Sequence, residues 1–245
     1  MLAHGLLKRS MTMAPSELRP TPAEVRSLFD SIANHYDHIN FVMSWGRHLA
    51  WKKMCVDWAI AGQPDARCVV DLCCGTGDLT RLWARHLPLA QEIWGVDFSG
   101  AMLEQARRHP RNSPPIRWFQ ADVLALPFED KTMDGVTMAF GLRNVVDIPR
   151  CFQEVHRILK PGAKAVILDL CIRADHGFQH WYLKQVIPRL GALFGLQDQY
   201  AYLAPSLERF PAPQALAHLA QGAGFTGVSH RTLEQGGIHF LILTS

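Results

Sequence analysis

Gly75, Thr76 and Gly77 stand between two acidic residues, Asp71 and Asp78, in the stretch VVDLCCGTGDLT at residues 69 to 80. Two glycines one residue apart carry no Cβ, so the backbone there can turn sharply and touch a ligand. A further carboxylate, Asp97, ends the run EIWGVD, where it can accept both hydroxyls of a ribose. Asp122 in QADVLALPFED is placed to accept a hydrogen bond from an adenine amino group, with Val123 and Leu124 beside the ring. Each aspartate alone would serve equally as a helix N-cap. Together with the glycine turn, they describe a nucleoside site built on successive strand ends.

Charge narrows the identity of that nucleoside. The dinucleotide pattern G-x-G-x-x-G needs a third small residue for close helix packing, and here that position holds Thr80. Asp78 begins the next helix, where a pyrophosphate would sit, and its charge opposes that anion. A cofactor with a sulfonium and an ammonium is instead favoured by Asp71 and Asp78. Cys73 and Cys74 are neighbours whose side chains diverge, and no Cys or His follows at a finger-like spacing, so they read as compact buried thiols. His176 and His180 have the i, i+4 spacing of zinc ligands but no Glu beside the first, which favours an exposed helix start. No metal is expected.

The elements that must hold these residues alternate. CVVDL (68 to 72), EIWGVD (92 to 97), IRWFQA (116 to 121), GVTMAF (135 to 140) and AKAVILDL (163 to 170) are apolar, β-branched or aromatic runs too short for helices. Between them lie LTRLWARHL, SGAMLEQARRH and IPRCFQEVHRILK, the last expected to stop at Lys160, Pro161 and Gly162. Such alternation predicts a parallel sheet with ligands outside the carboxyl ends of the strands. FTGVSHRTL (225 to 233) and GIHFLILT (237 to 244) are separated too briefly for a helical crossover, so that pair should be antiparallel. A seven-stranded, mostly parallel sheet with a reversed last strand resembles the Rossmann-like α/β fold of class I S-adenosylmethionine-dependent methyltransferases.

The chain has 245 residues, 48% of them apolar, enough for one α/β domain. Its net charge of +3 is interspersed without runs, which gives no nucleic-acid stripe. Six cysteines without a secretory pattern fit a reducing cytoplasm. No apolar run reaches the ~18 to 20 residues of a spanning helix, so the chain should be soluble or rest on a membrane surface. Residues 1 to 22 read as a flexible extension and 23 to 245 as a single domain. Within it, residues 24 to 58, rich in Trp, Phe and Met, form a helical lid, and 171 to 212 a substrate-side insertion.

Three further tracts carry a likeness more specific than the fold. FDSIANHYDHINFVMSWGRHLAWKK (29 to 53), FGLRNV (140 to 145) and YAYLAPSLERFP (200 to 211) resemble the ubiquinone/menaquinone C-methyltransferase family from about residue 24 to the C-terminus. DLCCGTGDLT, KPGAKAVILDL, WYL at 181 to 183 and FGLQDQYAYLAPS are most similar to members that methylate demethylphylloquinone. The resemblance implies S-adenosylmethionine as cofactor, with contacts at Thr76, Asp97 and its neighbour Phe98, and the pair Asp122-Val123, beside Asp71, Gly75 and Gly77. It departs from some relatives at Ala139, where they carry a serine that contacts the cofactor. It implies an isoprenoid naphthoquinol as substrate, the benzoquinol of ubiquinone synthesis being the nearest alternative. Tyr36, Trp181, Tyr200, Tyr202 and Arg209 are the expected substrate contacts.

A quinol is needed because an electron-poor quinone ring will not attack a sulfonium methyl. Ionising a phenol of pKa ~10 at pH 7 costs roughly 4 kcal/mol, and one guanidinium ~4 Å away at an effective dielectric of ~20 offers about as much. Arg143, after the fourth strand, is the candidate to hold the phenolate, and Asn144 to orient the ring or a water. The proton acceptor stays open among water, His35, Asp37, Tyr200 and Tyr202. Leu183, Val186, Ile187, Leu190 and Phe194 recur at helical spacing, able to shield the tail or to pack on the sheet. A bilayer substrate implies peripheral membrane contact, with the chain a monomer or homodimer. A cofactor-binding scaffold without catalysis is the alternative from another class.

Overall fold

The structure, a computed structural model, describes residues 21–63, 65–109, 114–171, 205–233 and 237–245. Its strands are β1 (Cys68–Leu72), β2 (Glu92–Asp97), β3 (Ile116–Gln120), β4 (Met133–Ala139), β5 (Leu159–Leu170), β6 (Gly227–Leu233) and β7 (Ile238–Thr244). They form one seven-stranded sheet in the order β3-β2-β1-β4-β5-β7-β6. From β3 to β5 every neighbour is parallel, and β7 runs antiparallel to both β5 and β6. Val69, Val70 and Leu72 of β1 are wholly buried, as a strand covered on both faces requires.

Three helices, α1 (Pro22–Ile32), α2 (Tyr36–Ser44) and α3 (His48–Ala59), precede the sheet. Helix α1 opens on a capping box, in which the Thr21 hydroxyl accepts the Glu24 N–H and the Glu24 carboxylate accepts the Thr21 N–H, with Pro22 just inside the start. Then come α4 (Asp78–His86), α5 (Gly100–Arg108), α6 (Ile148–Ile158) and α7 (Pro213–Gly222). One face of the sheet is covered by α3 and α4 through Cys55, Val56, Ala59, Leu79 and Trp83. The other is covered by α6 and α7 through Phe152, Val155 and Leu216.

Expected and observed boundaries differ most at β5. Helix α6 stops at Ile158, and Leu159, extended at φ −73° and ψ 137°, already pairs with Met133. Pro161 and Gly162 therefore lie inside a strand that begins four residues before the expected Ala163. Gly162 takes φ +78°, and the register shifts between Met133 and Gly135, so this pair of residues marks an irregularity in the ladder and not a helix stop.

From β1 the chain passes outward through β2 to β3 and then crosses back to β4 on the other side of β1, and this reversal opens a crevice above the carboxyl ends of β1 and β4. Two turns meet there: the glycine turn after β1 and the 3-10 turn Leu142–Asn144 after β4. They touch. A Cβ placed on Gly141 would lie 2.5 Å from the Cβ of Cys73, which itself adopts φ +52°. Gly141 is the residue type that this contact leaves room for.

Candidate active site

The glycine turn is held from three directions. Gly75 takes φ +55° and Gly77 φ +87°, left-handed conformations that glycine adopts without steric cost. The Gly75 N–H donates to Asp97 Oδ2 at 2.8 Å, tying the turn to the end of β2, and Ser99 N–H donates to Asp97 Oδ1 at 2.9 Å. The Asp97 carboxylate thus accepts backbone N–H groups on both oxygens, the Phe98 N–H adding to the two, and keeps acceptor capacity for a further donor such as a ribose hydroxyl. Arg81 donates from Nη1 to the Thr76 carbonyl at 2.8 Å, closing the turn from below.

Two adjoining cavities open over these groups. One, open to solvent, spans about 370 Å³ including its mouth, and its lining includes Tyr36, Gly75, Asp97, Phe140 and Asn144. The other, likewise open, spans about 480 Å³, and its lining includes Asp122, Val123, Leu124 and Val25. Cys73, Phe98, Gly141 and Asn144 line both. The expected ribose carboxylate and the expected adenine pair therefore face adjoining spaces, with the Phe98 ring between. A Cβ on Gly75 would meet the Tyr36 ring of α2 at 3.4 Å, an ordinary contact, so it is the left-handed backbone and not crowding that favours glycine there.

Helices α1 and α2 reach the site through carboxylates. The Thr76 hydroxyl donates to Asp37 of α2, and the Ser99 hydroxyl donates to Asp30 of α1 at 2.5 Å. Sequence periodicity offers no signal for either contact, because the partners lie 39 and 69 residues apart. His35 is exposed. Lys52 of α3 is buried and donates to Asp78 Oδ2 at 3.0 Å, while Arg81 lies 3.1 Å from Asp78 Oδ1. Two cations therefore compensate Asp78 and hold its carboxyl below the usual range. Its charge opposes an incoming anion far less than the sequence alone suggests.

Arg143 sits in the 3-10 turn, with its side chain 11% exposed. It donates from Nη1 to Asp169 Oδ1 at 2.6 Å and to the Phe140 carbonyl at 2.8 Å. Its backbone N–H donates to Asp169 Oδ2 at 3.1 Å, so one carboxylate fixes both the turn and the guanidinium. Asn144 donates to the Phe140 carbonyl at 3.3 Å. Arg209 is half-buried two residues beyond Leu207, which packs with Ile32 and Met102. Trp181, Tyr200, Tyr202, the paired histidines at 176 and 180 and the apolar stripe from Leu183 to Phe194 lie outside the described residues.

The ubiE/COQ5 methyltransferase family model matches residues 17–242. The chain belongs to the ubiE/COQ5 methyltransferase family. Its relatives include a 2-phytyl-1,4-naphtoquinone methyltransferase of Trichormus variabilis, 42% identical over 90% of this chain and 98% of that one. Another, of Thermosynechococcus vestitus, is 44% identical over 86% and 95%. A chloroplastic 2-phytyl-1,4-beta-naphthoquinone methyltransferase of Arabidopsis thaliana is 36% identical over 87% and 84%. Among solved structures, a SAM-dependent methyltransferase of Thermotoga maritima superposes with a TM-score of 0.62 at 18% identity, covering 89% of this chain and 98% of that one, which supports the fold. The chain is a methyltransferase of the class I fold.

Asp71, expected among the cofactor contacts, faces away from both cavities in this methyltransferase. Its oxygens accept the Thr80 hydroxyl at 2.7 Å and the Thr137 hydroxyl at 3.1 Å, and Thr137 in turn accepts the Trp83 indole N–H at 2.8 Å. It braces the base of the glycine turn. Burial also holds Cys73 and Cys74 as thiols by raising them well above the usual range. Both are free, and among the described residues no three His, Cys, Asp or Glu side chains gather to hold a metal.

Burial pushes the Asp71 carboxyl up to about 7 against the pull of the Thr80 and Thr137 hydroxyls, and Asp97 up to about 6. An acid raised in the folded chain keeps its proton after the unfolded chain has released it. From about pH 4 upward, the contribution of these two groups to stability therefore falls as pH rises, levelling off above about 7. Asp71→Asn removes one such group and is expected to raise Tm, relative to the parent, more at about pH 8 than at about pH 5. Scanning calorimetry at both values reads the difference. Equal effects would mean that Asp71 does not titrate in this window.

Proposed function

We propose that the chain transfers the methyl group of S-adenosylmethionine to the ring carbon beside the isoprenoid tail of a demethylnaphthoquinol. The substrate would be 2-phytyl-1,4-naphthoquinol or demethylmenaquinol, and the step a late one in phylloquinone or menaquinone formation. What carries this reading is that relatives named for 2-phytyl-1,4-naphthoquinone methylation share 36 to 44% of their residues with nearly the whole chain. S-Adenosylmethionine supplies an electrophilic methyl on sulfur. Asp97 and Phe98 would hold its ribose, Asp122 and Val123 the adenine edge, and Gly75 with Thr76 the methionine end. The adjoining cavities, which share Cys73, Phe98, Gly141 and Asn144, and the remaining acceptor capacity of Asp97 support that fit.

The protein's contribution to the chemistry is alignment and charge. Holding carbon, methyl and sulfur in line replaces an encounter with a unimolecular step. Arg143 would stabilise the phenolate that pushes electrons onto the ring carbon, and Asn144, which lines both cavities, would orient the ring. Tyr36 borders the same space, its hydroxyl held protonated because burial raises its pKa. Single-turnover assays with reduced demethylnaphthoquinone, oxidised demethylnaphthoquinone and the demethyl benzoquinol test the reading. Methyl transfer is expected on the reduced naphthoquinol alone or foremost. Preference for the benzoquinol would move the substrate, and cofactor binding without turnover on any quinol would make the chain a scaffold.

A further inference from the structure

Helix α2 ends in two successive left-handed residues, Trp45 at φ +52° and Gly46 at φ +75°, which turn the chain sharply into α3. A bulky side chain in that conformation is strained where glycine or asparagine would not be. Packing does not repay the strain: Trp45 is 86% exposed, the largest exposure among the large apolar side chains of the described residues, and Phe41 at 55% and Leu49 at 48% are exposed near it. The three belong to one surface. Gly46 and Phe41 are joined by the Gly46 N–H to the Phe41 carbonyl at 3.0 Å, and a Cβ on Gly46 would meet the Phe41 ring at 2.9 Å. Leu49 N–H donates back to the Gly46 carbonyl at 3.3 Å.

Charge along this tip is net positive. From His38 to Val56 the sequence holds Arg47, Lys52 and Lys53 and no Asp or Glu. Lys52 is committed to Asp78 below, while Arg47 is exposed and Lys53, paired with Asp57, stays half exposed. Position completes the picture. Tyr36, at the start of α2, lines the cavity, and nine residues of helix at about 1.5 Å each put the tip about 14 Å away. An isoprenoid tail leaving the cavity along α2 spans that distance.

We propose that the α2–α3 tip is the membrane-docking surface of the protein, with Trp45, Phe41 and Leu49 entering the interface of an anionic bilayer and Arg47 and Lys53 meeting its headgroups. An indole at the headgroup level and cations beside it are the chemistry such a surface selects. The occupant follows from the net positive charge of the tip and, resting on the proposed function, from the lipid tail of the substrate.

The test floats the full chain with vesicles of phosphatidylcholine alone and of phosphatidylcholine mixed with phosphatidylglycerol. Wild type should partition onto the mixed vesicles and be released by salt, Trp45→Gly about tenfold less and Trp45→Phe nearly as well as wild type. Methylation of a vesicle-embedded phytyl quinol should fall about tenfold in Trp45→Gly, while a short-tailed quinol in solution is methylated at the wild-type rate. The proposal is overturned if wild type ignores both vesicles, if Trp45→Gly floats equally, or if both rates fall together. A dimer that Trp45→Gly dissolves, seen by sedimentation, would also overturn it by giving the patch to a second copy. Flotation that depends on Trp45 without turnover on any quinol would uphold the surface and remove the substrate reading instead.

Discussion

Arg143→Ala is expected to slow methyl transfer to the quinol about 1,000-fold with cofactor affinity nearly unchanged. The magnitude follows from the pair that Arg143 makes. A guanidinium about 4 Å from a phenolate offers about 4 kcal/mol at an effective dielectric of about 20, and a carboxylate about 7 Å away takes back a little over 2. Asp169, 2.6 Å from Nη1 and 2% exposed, is that carboxylate. Arg143→Ala loses the whole of the guanidinium's about 4 kcal/mol while the carboxylate's repulsion stays; removing both partners loses only the surplus of about 2 kcal/mol, a factor of roughly 30 in rate. The single variant also leaves Asp169 buried without its cation, which costs about 3 kcal/mol of stability or more. Arg143→Ala combined with Asp169→Asn should therefore regain Tm but stay roughly 30-fold slower than the parent. Recovery of both, in single-turnover and calorimetric measurements, would reduce Arg143 to a structural ion pair.

That double variant shows where sequence reasoning stops. Arg143 was legible because it follows an apolar strand in a tract with a family likeness. Asp169 was not, because AKAVILDL reads as buried strand and says nothing about a partner 26 residues upstream. The same division runs through the site. Asp122 and Val123 follow the edge strand β3, which is half exposed and was legible from its aromatic run alone. Gly75, Asp97 and Phe98 stand at or just beyond the ends of β1 and β2, whose runs are largely apolar and buried, and such an element writes itself plainly into sequence. Asp71 looks identical by that criterion, and only the hydroxyls of Thr80 and Thr137 turn it away from the cavities. Lys52 lies in a tract notable for its aromatics, and its partner Asp78 is 26 residues on. The start of β5 was lost because Pro161 and Gly162 carry a strong local stop signal, which the buried Leu159 overrides by pairing with Met133.

Gly77→Ala is expected to be the most damaging small change in the molecule, and for a reason that spacing does not reveal. The added Cβ would lie 2.3 Å from Cη2 and 2.8 Å from Cζ3 of the Trp118 ring, on a residue at φ +87° that alanine adopts only under strain. Trp118 comes from β3, two strands away from β1, and its ring also crosses Gly95 of β2, where a Cβ would fall 2.4 Å from Cε3. The ring cannot retreat from one glycine into space left by the other. Left-handed alanine costs roughly 1 to 2 kcal/mol and overpacking typically about 1 to 3 more, so the loss should reach about 2 to 5 kcal/mol. For a chain of this size that is a fall in Tm of roughly 5 to 15 °C. Cofactor affinity should drop with it, since the same turn positions Gly75 against Asp97. Pairing Gly77→Ala with Trp118→Ala separates the two costs. The clash disappears while the backbone strain remains, so the second substitution should cost the Gly77→Ala protein less than it costs the parent. If Trp118→Ala lowers Tm equally in both backgrounds, the indole has room to move and the contact is not what makes glycine necessary here.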